Sequence, residues 1–309
     1  MLFTRRTVFK ILACLMIGLC GANSYLAQQA AADRTVTLTV TVTDQDLRFV
    51  GGIEKNQFSL LEKKSPIEIE SFSNDDRPLS VAILLDLSGS QAGKIIHSAN
   101  WITHFIGSGN SSNEYLILGF DSTSHLLCDW GCGTKDLVAA LGASIQAAPK
   151  GGTALYDTCD LALRKMERSS NVRRIVVILS DGLDNLSKVT FTQLRRSLKQ
   201  SDVMVYSVVM INRIDLGSHL GHEGQGVLDE LAAVTGGKAF FARSKDEMMD
   251  NADHIALELK HQYRLTFKVA GPKDHELHKI KVKVTSPVVQ LAGKTIHLRW
   301  RYKEEIYNP

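Results

Sequence analysis

The sequence has 309 residues, of which 44% are hydrophobic and 22% are charged, proportions that are typical of a globular protein with one large domain or two smaller ones. The formal net charge of +3 comes from three bases in the first 32 residues, and without them the bases equal the 33 acids in number. No basic stretch interleaves with aromatic residues, so the composition gives no indication of a nucleic-acid partner.

The first 32 residues are typical of an export signal. A basic start precedes an apolar run from Ile11 to about Ala22, and small residues follow as far as Ala32. The run is too short to span a bilayer, which favours a cleaved signal over a membrane anchor. The stretch T-R-R-T-V-F-K at residues 4–10 is similar to a twin-arginine signal, and an ordinary secretory signal is equally compatible with it. We therefore predict a signal peptide over residues 1–32 and a periplasmic or extracellular mature chain without a transmembrane helix.

The next segment alternates in the manner of half-buried β-strands. Residues 36–43 read V-T-L-T-V-T-V-T, and shorter runs follow at 58–61 and 67–72. Alternation with period two places one set of side chains in a core and the other in solvent, as in antiparallel sheets. We predict an N-terminal β region over residues 33–75.

A continuous apolar run then ends in three oxygen-bearing side chains. Residues 81–90 read V-A-I-L-L-D-L-S-G-S, so Asp86, Ser88 and Ser90 follow a strand that is buried on both faces. In open α/β sheets, ligands bind at the carboxyl ends of the strands. Carboxylates and hydroxyls are hard ligands that suit Mg²⁺, Ca²⁺ or Mn²⁺. Alone, the pattern is equally compatible with Asp86 as a helix N-cap and serines that form a turn.

Two later segments also place an oxygen-bearing side chain in a turn, one before a predicted helix and one after a buried strand. G-G-T-A-L-Y-D brings Thr153 to the start of a predicted helix, and a second buried strand at 175–179 is followed by S-D-G, which contains Asp181. In this order, the three segments resemble the metal-ion-dependent adhesion site of the von Willebrand factor type A domain. The resemblance implies that five residues surround one divalent cation, directly or through water. These residues are Asp86, Ser88, Ser90, Thr153 and Asp181.

Strand and helix patterns alternate over residues 79–261, which predicts a doubly wound, mostly parallel, Rossmann-like sheet with helices on both faces. Further strands are predicted at 115–120, 125–128 (an edge strand), 203–211 and 238–241. Helices are predicted at 93–106, 135–147, 154–168, 191–200, 227–234 and 245–260. The glycine-rich stretch 212–226 is predicted to be a loop, and His219, His222 and Glu223 within it to be solvated rather than metal-bound.

Three cysteines remain after the predicted signal. Cys128 and Cys132 flank a predicted turn, a spacing that is compatible with a local disulfide in an oxidising compartment. Cys159 lies in the helix after Thr153 and is expected to be a buried thiol. No second cysteine or histidine pair stands at ligand spacing, which argues against a zinc site.

The pattern returns to period two after residue 261. Residues 263–269, 279–284 and 294–301 alternate, which predicts a C-terminal β region over 262–303. Three strands at either end of the chain would each form only a small, marginal sheet. We therefore hypothesise one β-sandwich made from both ends, with the α/β domain inserted between them. Residues 42–62 also resemble the β region that precedes the A domain in exported bacterial proteins of this family.

The predicted ion would keep much of its positive charge, because three of its five protein ligands are neutral hydroxyls. Mg²⁺ is the expected cation, with Mn²⁺ and Ca²⁺ as alternatives. The resemblance implies that an Asp or Glu of a partner protein completes the coordination. The sequence thus predicts an exported, metal-dependent, adhesion-type protein-binding module that is not an enzyme. Two alternatives stay open: a complex-assembly subunit with a mainly structural metal, and a metal-dependent hydrolase, which the absence of an evident general base disfavours.

Overall fold

The computed structural model describes residues 34–147, 151–211, 218–269, 275–285, 288–291 and 294–307. The predicted signal segment, Lys150 before the Gly-Gly turn and residues 212–217 of the predicted loop lie outside these ranges. Within them, no helix combines the length and the apolar character needed to cross a membrane.

The strands are β1 (Arg34–Thr43), β2 (Phe58–Glu62), β3 (Ser65–Ile67), β4 (Ile69–Ser73), β5 (Leu79–Asp86), β6 (Glu114–Phe120), β7 (Ser124–Cys128), β8 (Arg173–Leu179), β9 (Met204–Met210), β10 (Lys238–Ala242), β11 (Tyr263–Val269), β12 (Leu277–Val284), β13 (Val288–Leu291), β14 (Lys294–His297), β15 (Arg299–Tyr302) and β16 (Glu305–Tyr307). The α-helices are α1 (Ile95–Ser108), α2 (Thr134–Gln146), α3 (Leu155–Met166), α4 (Phe191–Gln200), α5 (His219–Ala233) and α6 (Lys245–His261).

A six-stranded sheet in the order β10-β9-β8-β5-β6-β7 forms the centre of the α/β domain. All its pairings are parallel except that of β6 with β7, which is the antiparallel edge strand that the sequence predicts. Every residue of β5 is buried. The predicted doubly wound, mostly parallel sheet is therefore confirmed.

The apolar run of β5 is continuous because the sheet has a hydrophobic core on each face. Val81, Ile83 and Leu85 pack in one core with side chains of α1, α2 and α6. Ala82 and Leu84 point the other way and pack in a second core with α3, α4 and α5. A strand covered by helices on both faces has no solvent-facing positions, so its sequence does not alternate.

The two ends of the chain form a separate β-sandwich. One sheet has the order β15-β1-β11-β4 and the other β16-β12-β2-β3, so each contains strands from both ends. Leu38 lies opposite Leu265 in the first sheet, and Leu60 lies opposite Val282 in the second. The inner faces of both sheets share one hydrophobic core. The predicted pairing of both ends in one sandwich is confirmed, and β13 and β14 form an additional antiparallel pair.

A buried polar network joins the sandwich to the α/β domain. Glu258 of α6 is 2% exposed and accepts hydrogen bonds from Arg301 of β15, from the hydroxyl of Tyr206 in β9 and from Thr41 of β1. Gln262 extends the network by donating to Thr41 at 3.2 Å and to Tyr206 at 3.1 Å. Burial acts to raise the pKa of Glu258, but the charge and hydrogen bonds of Arg301 and the hydrogen bond of Tyr206 hold it below its ordinary value. The carboxylate is therefore ionised and paired.

The prediction of a loop up to residue 226 is wrong, because α5 begins at His219. Ser218 caps this helix, its hydroxyl accepting the Gly221 amide at 2.9 Å. Glycine is among the weakest helix formers, so the sequence around Gly221, Gly224 and Gly226 indicated a loop. The packing described below explains why Gly224 is needed there.

Two segments that the sequence predicts as single strands are each divided between two strands in the structure. The predicted strand at 294–301 is two strands, because β14 pairs with β13 whereas β15 turns to pair with β1. The predicted strand at 67–72 is likewise divided between β3 and β4, which belong to different sheets. Periodicity alone does not reveal a change of sheet within one alternating run. The strand β16 was not predicted and lies beyond residue 303.

Candidate metal site

The predicted ligands lie at the carboxyl edge of the central sheet, where β5 and β8 end side by side. Leu85 of β5 pairs with Leu179 of β8, so Asp86 and the turn after β8 leave the sheet next to one another. The chain proceeds from β5 to β6 on one side and later returns to β8 on the other. This is a topological switch point, where open α/β sheets form a ligand crevice.

Asp86 is fixed by hydrogen bonds to both of its carboxylate oxygens. The Ser88 amide donates to Oδ1 at 2.9 Å, and the Ser180 hydroxyl donates to Oδ2 at 2.6 Å. Asp86 and Ser88 are each 1% exposed. The bond between residues two apart closes a tight turn, and the hydroxyl oxygens of Ser88 and Ser90 then lie 3.2 Å from each other.

Asp181 is connected to the same loop through the amide of Gln91. Gln91 Nε2 donates to Asp181 Oδ2 at 3.0 Å and to Ser90 Oγ at 3.3 Å. The Leu183 amide donates to the other carboxylate oxygen of Asp181 at 3.2 Å. These bonds fix the orientation of the Asp181 carboxylate beside Ser90.

Backbone packing also positions Asp181. Gly182 has a φ of +84°, and a Cβ atom there would lie 2.2 Å from the Gly224 carbonyl oxygen. Conversely, a Cβ atom at Gly224 would lie 2.2 Å from the Asp181 carbonyl oxygen. The helix α5 therefore rests directly on the S-D-G turn, a contact that only glycine permits on either side.

Thr153 lies in the loop before α3, and this loop contacts the other two. The Gly89 amide donates to the Gly151 carbonyl at 3.4 Å, and the Thr153 amide donates to Asn185 Oδ1 at 2.8 Å. The backbone N–H of Asn185 donates in return to the Thr153 carbonyl at 3.0 Å. Thr153 is 5% exposed. Its loop is thus held between the loop that contains Ser88 and the loop that follows Asp181.

The site has two carboxylates close enough to influence each other. Burial raises the pKa of Asp86 to about 6; hydrogen bonds from Ser180 and Ser88 act to lower it, and the charge of Asp181 acts to raise it. In the metal-free protein, the Asp86 carboxyl is costly to ionise because it is buried and lies near the charge of Asp181. A bound cation would reverse this balance by favouring the ionised form of Asp86.

The donor set fits a hard divalent cation. Adjacent oxygen ligands of six-coordinate Mg²⁺ lie about 3 Å apart, since each is about 2.1 Å from the ion at right angles. The 3.2 Å separation of Ser88 Oγ and Ser90 Oγ agrees with this spacing. In the part of the chain that the structure describes, no group of three or more His, Cys, Asp or Glu side chains is placed to hold a metal ion. An ion at this site would therefore depend on hydroxyl ligands.

Three residues that organise the site are not among those predicted from the sequence. Ser180 holds Asp86, Gln91 holds Asp181, and Asn185 holds the Thr153 loop. Ser180 stands directly before Asp181, so the S-D-G motif could have indicated it. Gln91 and Asn185 lie in irregular segments with no periodic pattern, and their roles depend on contacts between distant parts of the chain.

Neither the cysteines nor His219 is among the predicted ligands. The structure joins Cys128 and Cys132 as a disulfide, with Cα atoms 5.9 Å apart, while Cys159 is free and buried. His219 Nδ1 lies 4.0 Å from a carboxylate oxygen of Glu223, one turn further along the exposed side of α5. That pair is a surface ion pair when the histidine is protonated.

Residues 81–183 match the family model of the von Willebrand factor type A domain. The chain contains a von Willebrand factor type A domain. The matched range includes all five predicted ligands and extends from β5 to the turn after β8. A comparison with curated proteins finds no match.

Three solved structures are among those that match this chain, each at low sequence identity. The vWF domain of the type V pili tip protein Mfa5 from Porphyromonas gingivalis is 13% identical, covers 60% of this chain and 97% of its own, and gives a TM-score of 0.47. A von Willebrand factor type A protein from Catenulispora acidiphila is 12% identical and covers 90% of this chain and 74% of its own, with a TM-score of 0.47. The pilus adhesin SpaC from Lactobacillus rhamnosus GG, in an open conformation, is 9% identical and covers 82% and 48%, with a TM-score of 0.49. At these identities the domain assignment rests on the sequence match over residues 81–183.

Proposed function

We propose that the chain is an exported, non-enzymatic binding module whose A domain holds a divalent cation, most favourably Mg²⁺, and recognises a protein partner through an Asp or Glu carboxylate. The proposed ligands are Asp86, Ser88, Ser90, Thr153 and Asp181, directly or through water.

The observation that carries the proposal is the gradient of burial across these residues. Asp86, Ser88 and Thr153 are at most 5% exposed, whereas Ser90 is exposed and Asp181 is half-buried. A cation coordinated by these three buried residues would face solvent on the side of Ser90 and Asp181. Because Mg²⁺ prefers six oxygen ligands, an open side favours completion by water or by an external carboxylate.

The residues around the ligands support binding rather than turnover. The groups that orient Asp86 and Asp181 are the Ser180 hydroxyl and the Gln91 amide. Neither is a general base at neutral pH, because a hydroxyl and an amide do not take up a proton there. Their role in this proposal is to hold both carboxylates in one orientation for the ion.

Export is supported by the cysteines as well as by the predicted signal segment. The disulfide between Cys128 and Cys132 is stable in oxidising compartments and rare in the cytosol. The predicted signal at residues 1–32 supplies the corresponding route, either secretory or twin-arginine.

The experiment measures binding of peptides to the chain from residue 34 onward, with and without chelator. A peptide library in which each Asp or Glu peptide has an Asn or Gln counterpart is screened in Mg²⁺. We expect the acidic members to bind, their amide counterparts to fail, and EDTA to abolish binding. Ser90→Ala should weaken both cation and peptide binding, while Ser71→Ala, an exposed serine of the sandwich, serves as the matched control. Binding that is unaffected by EDTA would overturn the proposal.

A further inference from the structure

A basic groove lies on the sandwich, between the turn that joins β2 to β3 and the outer face of β12. Its volume is about 550 Å³. Lysines dominate its lining: Lys63, Lys64, Lys279, Lys281 and Lys283. The mature chain as a whole has nearly equal numbers of acids and bases, so this concentration of positive charge is local.

The lysines of β12 form a regular row. Ile280, Val282 and Val284 point into the sandwich core, so the alternate residues Lys279, Lys281 and Lys283 point outward. Residues two apart in a strand are separated by about 6.8 Å, and this row therefore repeats its charge with that period. Leu61 lies opposite Lys281 and is partly exposed, which places an apolar side chain beside the charges.

The turn on the other side of the groove has a conformation that its residues disfavour. Glu62 pairs with Ser65, so Lys63 and Lys64 are the two central residues of a two-residue hairpin turn. Their φ values are +46° and +77°, which is the pattern of a type I′ turn. Asn and Gly are the residues that such a turn favours. Two lysines therefore make the turn less stable than Asn and Gly would. They also place two ammonium groups at the rim of the groove.

The charges are mixed rather than uniform. Glu62 and Glu276 also line the groove, and the Glu62 carboxylate lies 2.7 Å from His278 Nδ1. Lys279 Nζ lies 3.3 Å from a carboxylate oxygen of the exposed Glu304. The acids lie toward the start of β12 and the positive row continues toward its end.

The groove is at the opposite end of the A domain from the metal site. The sandwich joins the A domain at the amino end of the central sheet, where Arg173 at the start of β8 donates to Gln262. Lys303 of the sandwich donates to the Leu198 carbonyl at 3.2 Å, close to the start of β9. Asp86 ends β5 and Asp181 follows β8, so both lie at the carboxyl edge of the same sheet.

We propose that this groove binds an extended acidic segment of a partner protein, with carboxylates at alternate positions. An extended peptide also presents every second side chain on one side at about 6.8 Å, which matches the row of lysines. Lysine gives charge without the planar, bidentate geometry of arginine, so recognition depends on spacing and sign. The interaction is at the surface and weakens as salt increases. The site acts independently of the cation.

The experiment measures fluorescence anisotropy of labelled Glu-Thr repeat peptides with the chain from residue 34 onward, in EDTA so that the metal site does not contribute. We expect binding that weakens with salt and a Gln-Thr peptide that does not bind. The double variant Lys281→Gln/Lys283→Gln should lose about tenfold in affinity. The matched double variant Lys135→Gln/Lys245→Gln, which removes the same charge from exposed helical positions, should lose less than about twofold.

A second variant tests the turn. Lys63→Asn/Lys64→Gly should raise the melting temperature, because the new residues favour a type I′ turn, and should lower peptide affinity. Heparin and vesicles of phosphatidylcholine with phosphatidylglycerol provide the competing sources of negative charge. The proposal is overturned if either of these binds through the groove lysines and the Glu-Thr peptide does not, or if the two double lysine variants behave alike.

Discussion

Asp86→Asn should make the metal-free protein more stable while removing its affinity for cations. The substitution keeps the size of the side chain and an oxygen that can accept from the Ser88 amide, and it removes a buried charge. The Ser180 hydroxyl, which donates to Asp86 in the native protein, can accept from the new amide instead. The change therefore affects the charge more than the packing.

The magnitude follows from the pKa of Asp86, which burial raises from 3.8 to about 6. A carboxyl with a raised pKa binds its proton more tightly in the folded chain, so its contribution to stability is present at low pH and is lost as the pH rises from about 4 to above 6. The full loss is about 3 kcal/mol, from 1.36 kcal/mol for each factor of ten in proton affinity. In EDTA at pH 7 the variant should exceed the wild type by up to this amount, and at pH 4 the two should be nearly equal.

Urea unfolding followed by circular dichroism between pH 4 and pH 8 measures this difference. Other titrating groups are common to both proteins, so the difference between the two curves isolates Asp86. Adding Mg²⁺ should stabilise the wild type by about 2.7 kcal/mol at one hundred times its dissociation constant and leave the variant unchanged. A variant less stable than the wild type in EDTA at pH 7, or a difference that does not change with pH, would contradict this prediction.

Three further outcomes are expected. Gly224→Ala should weaken cation binding and lower the melting temperature, because the added methyl group would meet the backbone of Asp181 beside the proposed metal site. In Gly226→Ala the methyl group meets open space, and this change should stabilise α5 by about 0.5–1 kcal/mol. Arg301→Ala should lower the free energy of unfolding by about 3–5 kcal/mol by leaving Glu258 buried without its partner, and adding Glu258→Gln should recover part of the loss; a change below about 1 kcal/mol in denaturant unfolding would contradict the role of this pair. Since burial raises the pKa of the Cys159 thiol, a thiol reagent at pH 8 should label it only after denaturation, and rapid labelling of the folded chain would contradict its burial.

The strands and the ligand loops were predictable because their signals are local. The apolar run before Asp86 requires a strand buried on both faces, and the glycines before Thr153 and after Asp181 mark the turns that follow. The residue types in those turns, read in order, were enough to indicate the family. Period-two alternation at both ends was likewise enough to suggest a common sandwich.

What could not be predicted depends on contacts between distant parts of the chain. Gly224 reads as a helix breaker, yet α5 includes it because a side chain there would collide with the backbone of Asp181. Glu258 and Arg301 belong to a helix and a strand whose patterns are unremarkable separately, and only the docking of the sandwich brings them together. The left-handed turn at Lys63 is similar, since its sequence lacks the residues that identify such turns.

The central claim is that one divalent cation binds at the five proposed ligands. Calorimetric titration of Mg²⁺, Mn²⁺ and Ca²⁺ into the metal-free chain from residue 34 onward tests it most directly, with Asp181→Ala and the exposed Asp202→Ala as a matched pair. We predict one site per chain in the wild type and in Asp202→Ala, none in Asp181→Ala, and tighter binding when acetate is present as a small carboxylate. Absence of binding in the wild type with acetate present, or equal binding in both variants, would contradict the account.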